Sequence, residues 1–380
     1  MSYDKKIKKV AFSVTNCICN DQRVLRIAET VKSLDCAITI IGRKSGKCCD
    51  SGSVPFRTIR FRMIFRKGFL FYKFYNIRLL IHLVLNKYDI LVANDLDTLL
   101  PNYMVSKIKR LPLVYDSHEY FTGVPEIQER PFVKLVWKTI EKSIFPHLSN
   151  VMTVSDSISI QYEREYGIRP ITVRNCSRSS RHIIPFSRKE LKVSKDHLTL
   201  ILQGTGINVD RGGEELIEAF SMLENATLLI VGEGDILPVL KENVIRLKIS
   251  EKVKFFPKMP WEEMIRYTKA ADAGLSLDKA TNINYRFSLP NKLFDYIAAG
   301  IPVITSDLPE VSKIVRDNNC GIIVGEVSPV EIAKAIQKLA DSPGFLSELK
   351  KNAVIASESI NWKQESIKVL ELYRSVFEGL

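Results

Sequence analysis

No run of about 18 apolar residues, the length a helix needs to cross a bilayer, occurs in the sequence, and a chain that does not span a membrane is expected. The first residues, Met1 to Lys9, are polar and basic. They lead straight into the strand-like VAFSV, without the apolar core of a secretory leader. Cysteine is scarce and poorly spaced for metal or disulfide chemistry. The seven (Cys17, Cys19, Cys36, Cys48, Cys49, Cys176 and Cys320) are odd in number and form no CxxC pair, so reduced thiols in a cytosolic protein are expected. Internal repeats, low-complexity tracts and metal-ligand clusters are all missing, and no bound metal or other cofactor is expected.

What is present is a globular composition, 46% apolar, over 380 residues, too many for one ordinary domain and suited to two of similar size. Lys and Arg number 55 against 43 Asp and Glu, a formal charge of +12. Such an excess favours nucleotide phosphates, nucleic acid or an anionic membrane surface, without choosing among them. No nucleic-acid recognition motif accompanies it, so nucleic acid is not expected as a partner.

Short β-branched runs alternate with helical patterns from end to end, the mark of parallel α/β architecture. Strands are expected at Val10–Val14, Ala37–Ile41, Val54–Phe61, Asp89–Ala93, Leu113–Tyr115, Asn150–Val154 and Ile171–Val173. Irregular polar sequence from Asn175 to Asp196 reads as a linker, after which the alternation restarts at His197–Gln203 and runs to Gly321–Val324. The expected organisation is two Rossmann-like, doubly wound domains, residues 1–180 and 181–360, facing a cleft. Residues 361–380 form an amphipathic helix packing back on the first domain. Ligands of such sheets sit at the carboxyl ends of the strands.

The most informative stretch is SLPNKLFDYIAAGIPVITS, Ser288–Ser306. Pro290 suits a first helical position, and Asn291 and Lys292 follow in the first turn, where free N–H groups and the helix dipole attract anions. Asp295, one turn on, can accept two hydrogen bonds from a ribose diol. Upstream, LTLILQGTGINVDRGGEELIEAF is a strand, a loop with Gly204 and Gly206, and Arg211, whose planar fork suits phosphate oxygens. In LLIVGEGD, Gly232 and Gly234 either let a nucleotide approach the backbone or form a tight turn.

These segments, with VKFFPKMPWEEMIRYTKAADAGLSL between them, resemble the C-terminal domain of glycosyltransferase family 4, and NDQRVLRIAETV, YDILVANDLDTLLP, LVYDSHEYFTG and VMTVSDSI resemble its N-terminal domain. The resemblance implies a GT-B fold, a metal-independent, retaining transfer from a UDP- or GDP-sugar, and a glycan or lipid-linked acceptor in surface-polysaccharide assembly. It implies catalytic roles for His118, Arg211 and Lys292. It implies donor contacts from Gly204, Thr205, Gly206, Gly232, Glu233, Gly234, Lys258, Ser288, Leu289, Pro290, Asn291 and Asp295. Asn20, Asp21, Arg23, Asp95, Asp97 and Glu119 are candidates for acceptor hydroxyls, with helix capping as the competing reading of Asn20, Asp21 and Asp97. The sequence departs from the family pattern at Phe287, where a sugar-contacting Glu is usual, and at Thr205, where an Arg is usual. A nucleotide-sugar-binding paralogue without turnover is the alternative these departures leave open.

From Phe56 to Lys87, Arg57, Arg60, Arg62, Arg66, Lys67, Lys73 and Arg78 interleave with Phe, Tyr, Ile and Leu. This reads either as a segment lying in the headgroup layer of the inner membrane face or as a core helix with a solvated basic edge.

Overall fold

Apolar runs bounded by polar loops become central strands when helices cover both faces of a parallel sheet. Ile90, Leu91, Val92 and Ala93, for instance, are all fully buried. In the computed structural model, which describes residues 7–44 and 54–380 (the side chains of Asn20, Pro125 and Glu126 excepted), such strands build two wholly parallel sheets. The chain divides into two compact units, one of Met1–Arg174 with Ser366–Leu380, the other of Asn175–Glu365.

The first unit runs β1 (Lys9–Ser13), α1 (Gln22–Lys32), β2 (Ala37–Lys44), β3 (Arg57–Arg62), α2 (Gly68–Leu85), β4 (Ile90–Asn94), α3 (Leu96–Lys109), β5 (Leu113–Ser117), α4 (Pro125–Gln128), α5 (Pro131–Ile144), β6 (Asn150–Thr153), α6 (Asp156–Tyr166) and β7 (Ile171–Thr172). The second runs β8 (Leu198–Gly204), α7 (Gly213–Ser221), β9 (Ala226–Gly232), α8 (Leu237–Arg246), β10 (Val253–Phe256), α9 (Trp261–Ala270), β11 (Ala273–Ser276), α10 (Ile283–Arg286), α11 (Asn291–Ala299), β12 (Val303–Ser306), α12 (Pro309–Asn318), β13 (Gly321–Val324), α13 (Pro329–Asp341) and α14 (Pro343–Ser359). A last helix, α15 (Trp362–Glu378), follows. Within the first unit its Tyr373 is fully buried, stacked 6.5 Å from the ring of Phe12, and Lys368 donates to the Thr172 carbonyl at 3.1 Å.

Strand order is β3-β2-β1-β4-β5-β6-β7 in the first sheet and β10-β9-β8-β11-β12-β13 in the second. Both are doubly wound α/β sheets, as the alternation predicts. The order reverses between β1 and β4, and again between β8 and β11. Loops leaving adjacent strands at such a reversal diverge to opposite faces and open a crevice at the carboxyl ends.

Three expectations change. The 175–196 segment lacks helix and strand but is no free tether: Ser177 donates to Asp295 at 2.6 Å and Arg188 pairs with Asp272 at 2.6 Å, both inside the second unit. Cys17 and Cys19 are disulfide-bonded, against the expectation of reduced thiols, whereas Cys36, Cys176 and Cys320 are free and buried. Cys48 and Cys49 lie outside the described residues. Finally, α2 is long and apolar enough to cross a membrane by length and composition. Its Phe71, Tyr75, Leu79 and Leu83 stripe is instead packed into the first unit.

Candidate functional site

In the second unit, the reversal between β8 and β11 brings two cations to one carboxylate. Beyond β8 the chain turns at Gly204, whose φ of +140° favours glycine, and passes exposed Thr205 and Gly206, which has open space where a Cβ would stand. The loop carries Arg211 to Asp278, just past β11: Nη1 lies 3.1 Å from Oδ2. Lys292, in the first turn of α11, reaches the other oxygen of Asp278 at 3.4 Å. The Arg211 guanidinium also sits 4.4 Å from the ring centroid of Tyr285, and its Nε is buried without a hydrogen-bond partner. Burial opposes the charge on Arg211, but the Asp278 carboxylate outweighs it and raises the pKa. Lys292 shifts the other way: burial, with help from Arg211 and against Asp278, lowers its pKa.

Pro290 stands at the N-cap rather than the first helical position, and α11 has no side-chain cap there. The Leu293 N–H turns back to the Pro290 carbonyl at 3.1 Å, which leaves the N–H groups of Asn291 and Lys292 at the positive end of the helix. Ser288 donates to the Tyr285 carbonyl and Leu289 is buried in the core, so these two shape the turn into the helix. The combination of two cations, an unmatched guanidinium N–H and an uncapped helix start can hold an anion of two or more charges.

Gly232 and Gly234 serve the tight-turn reading. A Cβ on Gly232 would lie 1.8 Å from the Gly204 carbonyl oxygen, and one on Gly234 would lie 2.0 Å from that of Ile207. Protein backbone, not a nucleotide, occupies the space these glycines leave. Glu233 donates its N–H to Gly204 at 3.0 Å, and its exposed carboxylate pairs with Lys258 at 2.7 Å.

Asp295 is corrected as well. Ser177 and Trp261 donate to Oδ1 at 2.6 and 2.8 Å, and Gln203 donates to Oδ2 at 3.1 Å. The side chain is buried, and its carboxylate ties three separate segments together instead of standing open to a ribose. Asp295→Ala would strand three donors and is expected to cost about 2–4 kcal/mol of stability, read by chemical denaturation. Unchanged stability with weakened nucleotide binding would return the ribose role to it.

The first unit gathers a different set at the ends of β4 and β5. Asp95 adopts φ +61°, unusual for a non-glycine residue, and its Oδ1 accepts the His118 N–H at 2.8 Å. The His118 ring lies between two carboxylates, Nδ1 3.3 Å from Asp95 and Nε2 3.2 Å from Asp116. Burial pulls the His118 pKa down, but Asp95 and Asp116 outweigh it and push it up to about 10. Asp97 accepts from Thr15 at 2.5 Å through one oxygen, while the other is buried without a partner. Burial pushes its carboxyl up to about 7. Half-buried Glu119 neighbours this group, one of the charges that raise Asp95 and Asp97.

Arg23 does not face an acceptor. It is buried, donates three hydrogen bonds to Asp116 at 2.6 to 3.1 Å, and donates to the Val173 carbonyl at 2.7 Å. Its charge holds Asp116 well below the usual carboxylate range despite burial. Asp21 caps α1, accepting from Val24 N–H at 3.1 Å, and its other oxygen accepts from Asn16. Asp97 is not the cap of α3, since Asp95 occupies that position. The side chain of Asn20 lies outside the described residues.

The His118 shift has a consequence for stability. A raised folded-state pKa means that the His118 contribution is complete below about pH 6.5, the unperturbed value, and fades as pH climbs through about 10. The stability gap between the native chain and His118→Asn should narrow steadily across that window in thermal melts. A gap constant from pH 6 to 10 would contradict the charged imidazole.

A family model described as Glycosyl transferases group 1 matches residues 185–355, and one for Glycosyltransferase Family 4 matches residues 22–176. Each unit is thus similar to a glycosyltransferase family model, the second to group 1 and the first to family 4. Chitobiosyldiphosphodolichol beta-mannosyltransferase of Candida albicans is 25% identical over 265 residues, 63% of this chain. The match spans 57% of that relative's own length. Sucrose-phosphate synthase from Thermosynechococcus elongatus superposes with a TM-score of 0.78 at 17% identity, covering 98% of this chain and 100% of its own. Anabaena HepE, solved in complex with UDP-glucose, gives 0.77 at 16% identity, with 97% and 99% covered. The two structural likenesses establish the GT-B fold.

Sequence reasoning missed Asp278. The only available signal was its place at the carboxyl end of the strand GLSL, beside the reversal. Phe287, half-buried just past α10, puts an aromatic ring where the resemblance leads one to expect a sugar-contacting Glu.

Proposed function

We propose that the chain is a metal-independent, retaining glycosyltransferase that moves a sugar from a UDP- or GDP-sugar, held by the second unit, to a glycan or lipid-linked acceptor held by the first, in surface-polysaccharide assembly. The observation that carries the reading is the convergence of Arg211 and Lys292 on Asp278 beside the uncapped start of α11. A leaving nucleotide diphosphate gains charge as the glycosidic bond breaks, and preorganised cations and N–H donors stabilise that charge without a bound metal. An incoming diphosphate competes with Asp278 for the two cations. The complex of HepE with UDP-glucose and the dolichol-linked acceptor in the name of the Candida relative support the substrate classes.

The carboxylates of Asp95 and Asp116 lie 3.3 and 3.2 Å from the His118 ring nitrogens and favour its charged form, so it orients and carries charge rather than taking a proton. Retention with a diphosphate oxygen accepting the acceptor proton fits that arrangement. Asp97 favours a second reading: its unpartnered buried oxygen and a pKa near 7 suit a general base, and base-assisted attack inverts the anomeric centre. Transfer assayed over UDP- and GDP-sugars with chelator present, followed by the anomeric NMR signal of the product, tests the proposal. Loss of turnover on chelation sinks the metal-free mechanism, and an inverted product selects the second reading. Tight nucleotide binding without turnover on any donor would leave a binding protein.

A further inference from the structure

The helix α2 is apolar on two opposite sides. One stripe, Phe71, Tyr75, Leu79 and Leu83, is buried, and Tyr75 anchors it by donating to the carbonyls of Val14 and Ile41. The other, Leu70, Phe74, Ile77, Ile81 and Val84, recurs at alternating four- and three-residue steps, so it forms one continuous face. Each of these five residues is 42–52% exposed. A core helix with a solvated edge would put polar residues there. Beside it, α3 packs against α2 and exposes Leu100, Met104 and Ile108, again at four-residue spacing.

The charges around this face have one sign. Between Val54 and Tyr88 the sequence has no Asp or Glu, while Lys and Arg occur eight times. Lys73 and Arg78 project from α2 on either side of the exposed apolar face, and exposed Arg66 and Lys67 stand at its amino end.

We infer that α2 lies flat in the headgroup layer of an anionic lipid bilayer, its outer apolar face among the acyl-chain boundary and its basic flanks on lipid phosphates. Charge selects this occupant over a second copy of the chain. Two copies meeting through α2 would press two acid-free basic rims together, whereas an anionic surface neutralises one. The buried stripe keeps α2 on the domain, so the helix rests in the interface and does not cross it.

The inference stands apart from the transferase reading, because vesicle binding requires no turnover. Full-length protein should co-sediment with vesicles of phosphatidylcholine containing about 30% phosphatidylglycerol, more at low salt than at about 0.15 M, and not with phosphatidylcholine alone. Ile77→Ser with Ile81→Ser, and separately Arg66→Glu with Lys67→Glu and Lys73→Glu, should each reduce the bound fraction about tenfold or more. All these positions are exposed, and unchanged thermal melts would show that the variants fold. The inference is overturned by no binding at either salt, by equal binding to neutral vesicles, or by native-level binding of either variant. A dimer in light scattering that the Ile variant disperses, without vesicle binding, gives the face to a second copy and overturns it too.

Discussion

Arg211→Ala is expected to lower turnover by about 10²–10³-fold while leaving the donor KM within a few-fold. The guanidinium faces Asp278 in the resting protein, stacked on Tyr285, and its buried Nε is unmatched. A donor diphosphate carries charge already in the ground state, but the group gains more as it leaves. A cation set by the fold stabilises that added charge most in the transition state. Lys292→Met should act in the same direction, since Lys292 shares Asp278 and sits at the helix start. The check is steady-state kinetics on whichever nucleotide sugar supports transfer. An Arg211→Ala enzyme with unchanged kcat and a raised KM would show that the residue only holds the nucleotide.

Arg23→Ala is expected to destabilise the first unit by about 3–5 kcal/mol, because it removes three hydrogen bonds from the fully buried Asp116 carboxylate and leaves it only the His118 ring, 3.2 Å away. Asp116 is fully buried and accepts three hydrogen bonds from Arg23, so the pair is one unit of structure. Removing both partners should cost much less than removing Arg23 alone: Arg23→Met combined with Asp116→Leu leaves no uncompensated charge. Denaturant unfolding of the two variants decides the matter. A single variant as stable as the native chain would mean that Asp116 finds its counter-charge elsewhere, with His118 3.2 Å away as the nearest candidate.

Arg211 and Lys292 were legible before any coordinates, because short-range rules place them. A glycine-bearing turn after a strand and a first-turn lysine after proline are local features, and local geometry aims them at the strand ends. The same locality misled at Asp295 and Arg23, and in the helix-capping reading of Asp97. Each stands in a motif-like string near an expected site, and nothing within a few residues reveals what surrounds the side chain. Asp295 is met by donors 34, 92 and 118 positions away, and Arg23 finds Asp116 across 93. Gly232 and Gly234 were ambiguous for a related reason, since a missing Cβ is equally useful to a ligand and to another stretch of backbone.

By itself, the sequence determined the doubly wound α/β fold of both units and the positions of Arg211 and Lys292 beside the strand ends. Periodicity, turn chemistry and helix starts act over a few residues and survive without knowledge of distant neighbours. Tertiary structure alone decided which polar side chains stay free for a ligand and which are consumed inside the domains. It also decided that α2 buries one apolar stripe and leaves its opposite to solvent. Burial and partnership depend on segments brought together from across the chain, and that pairing is settled by packing, where an unpaired buried group costs more than any local preference returns.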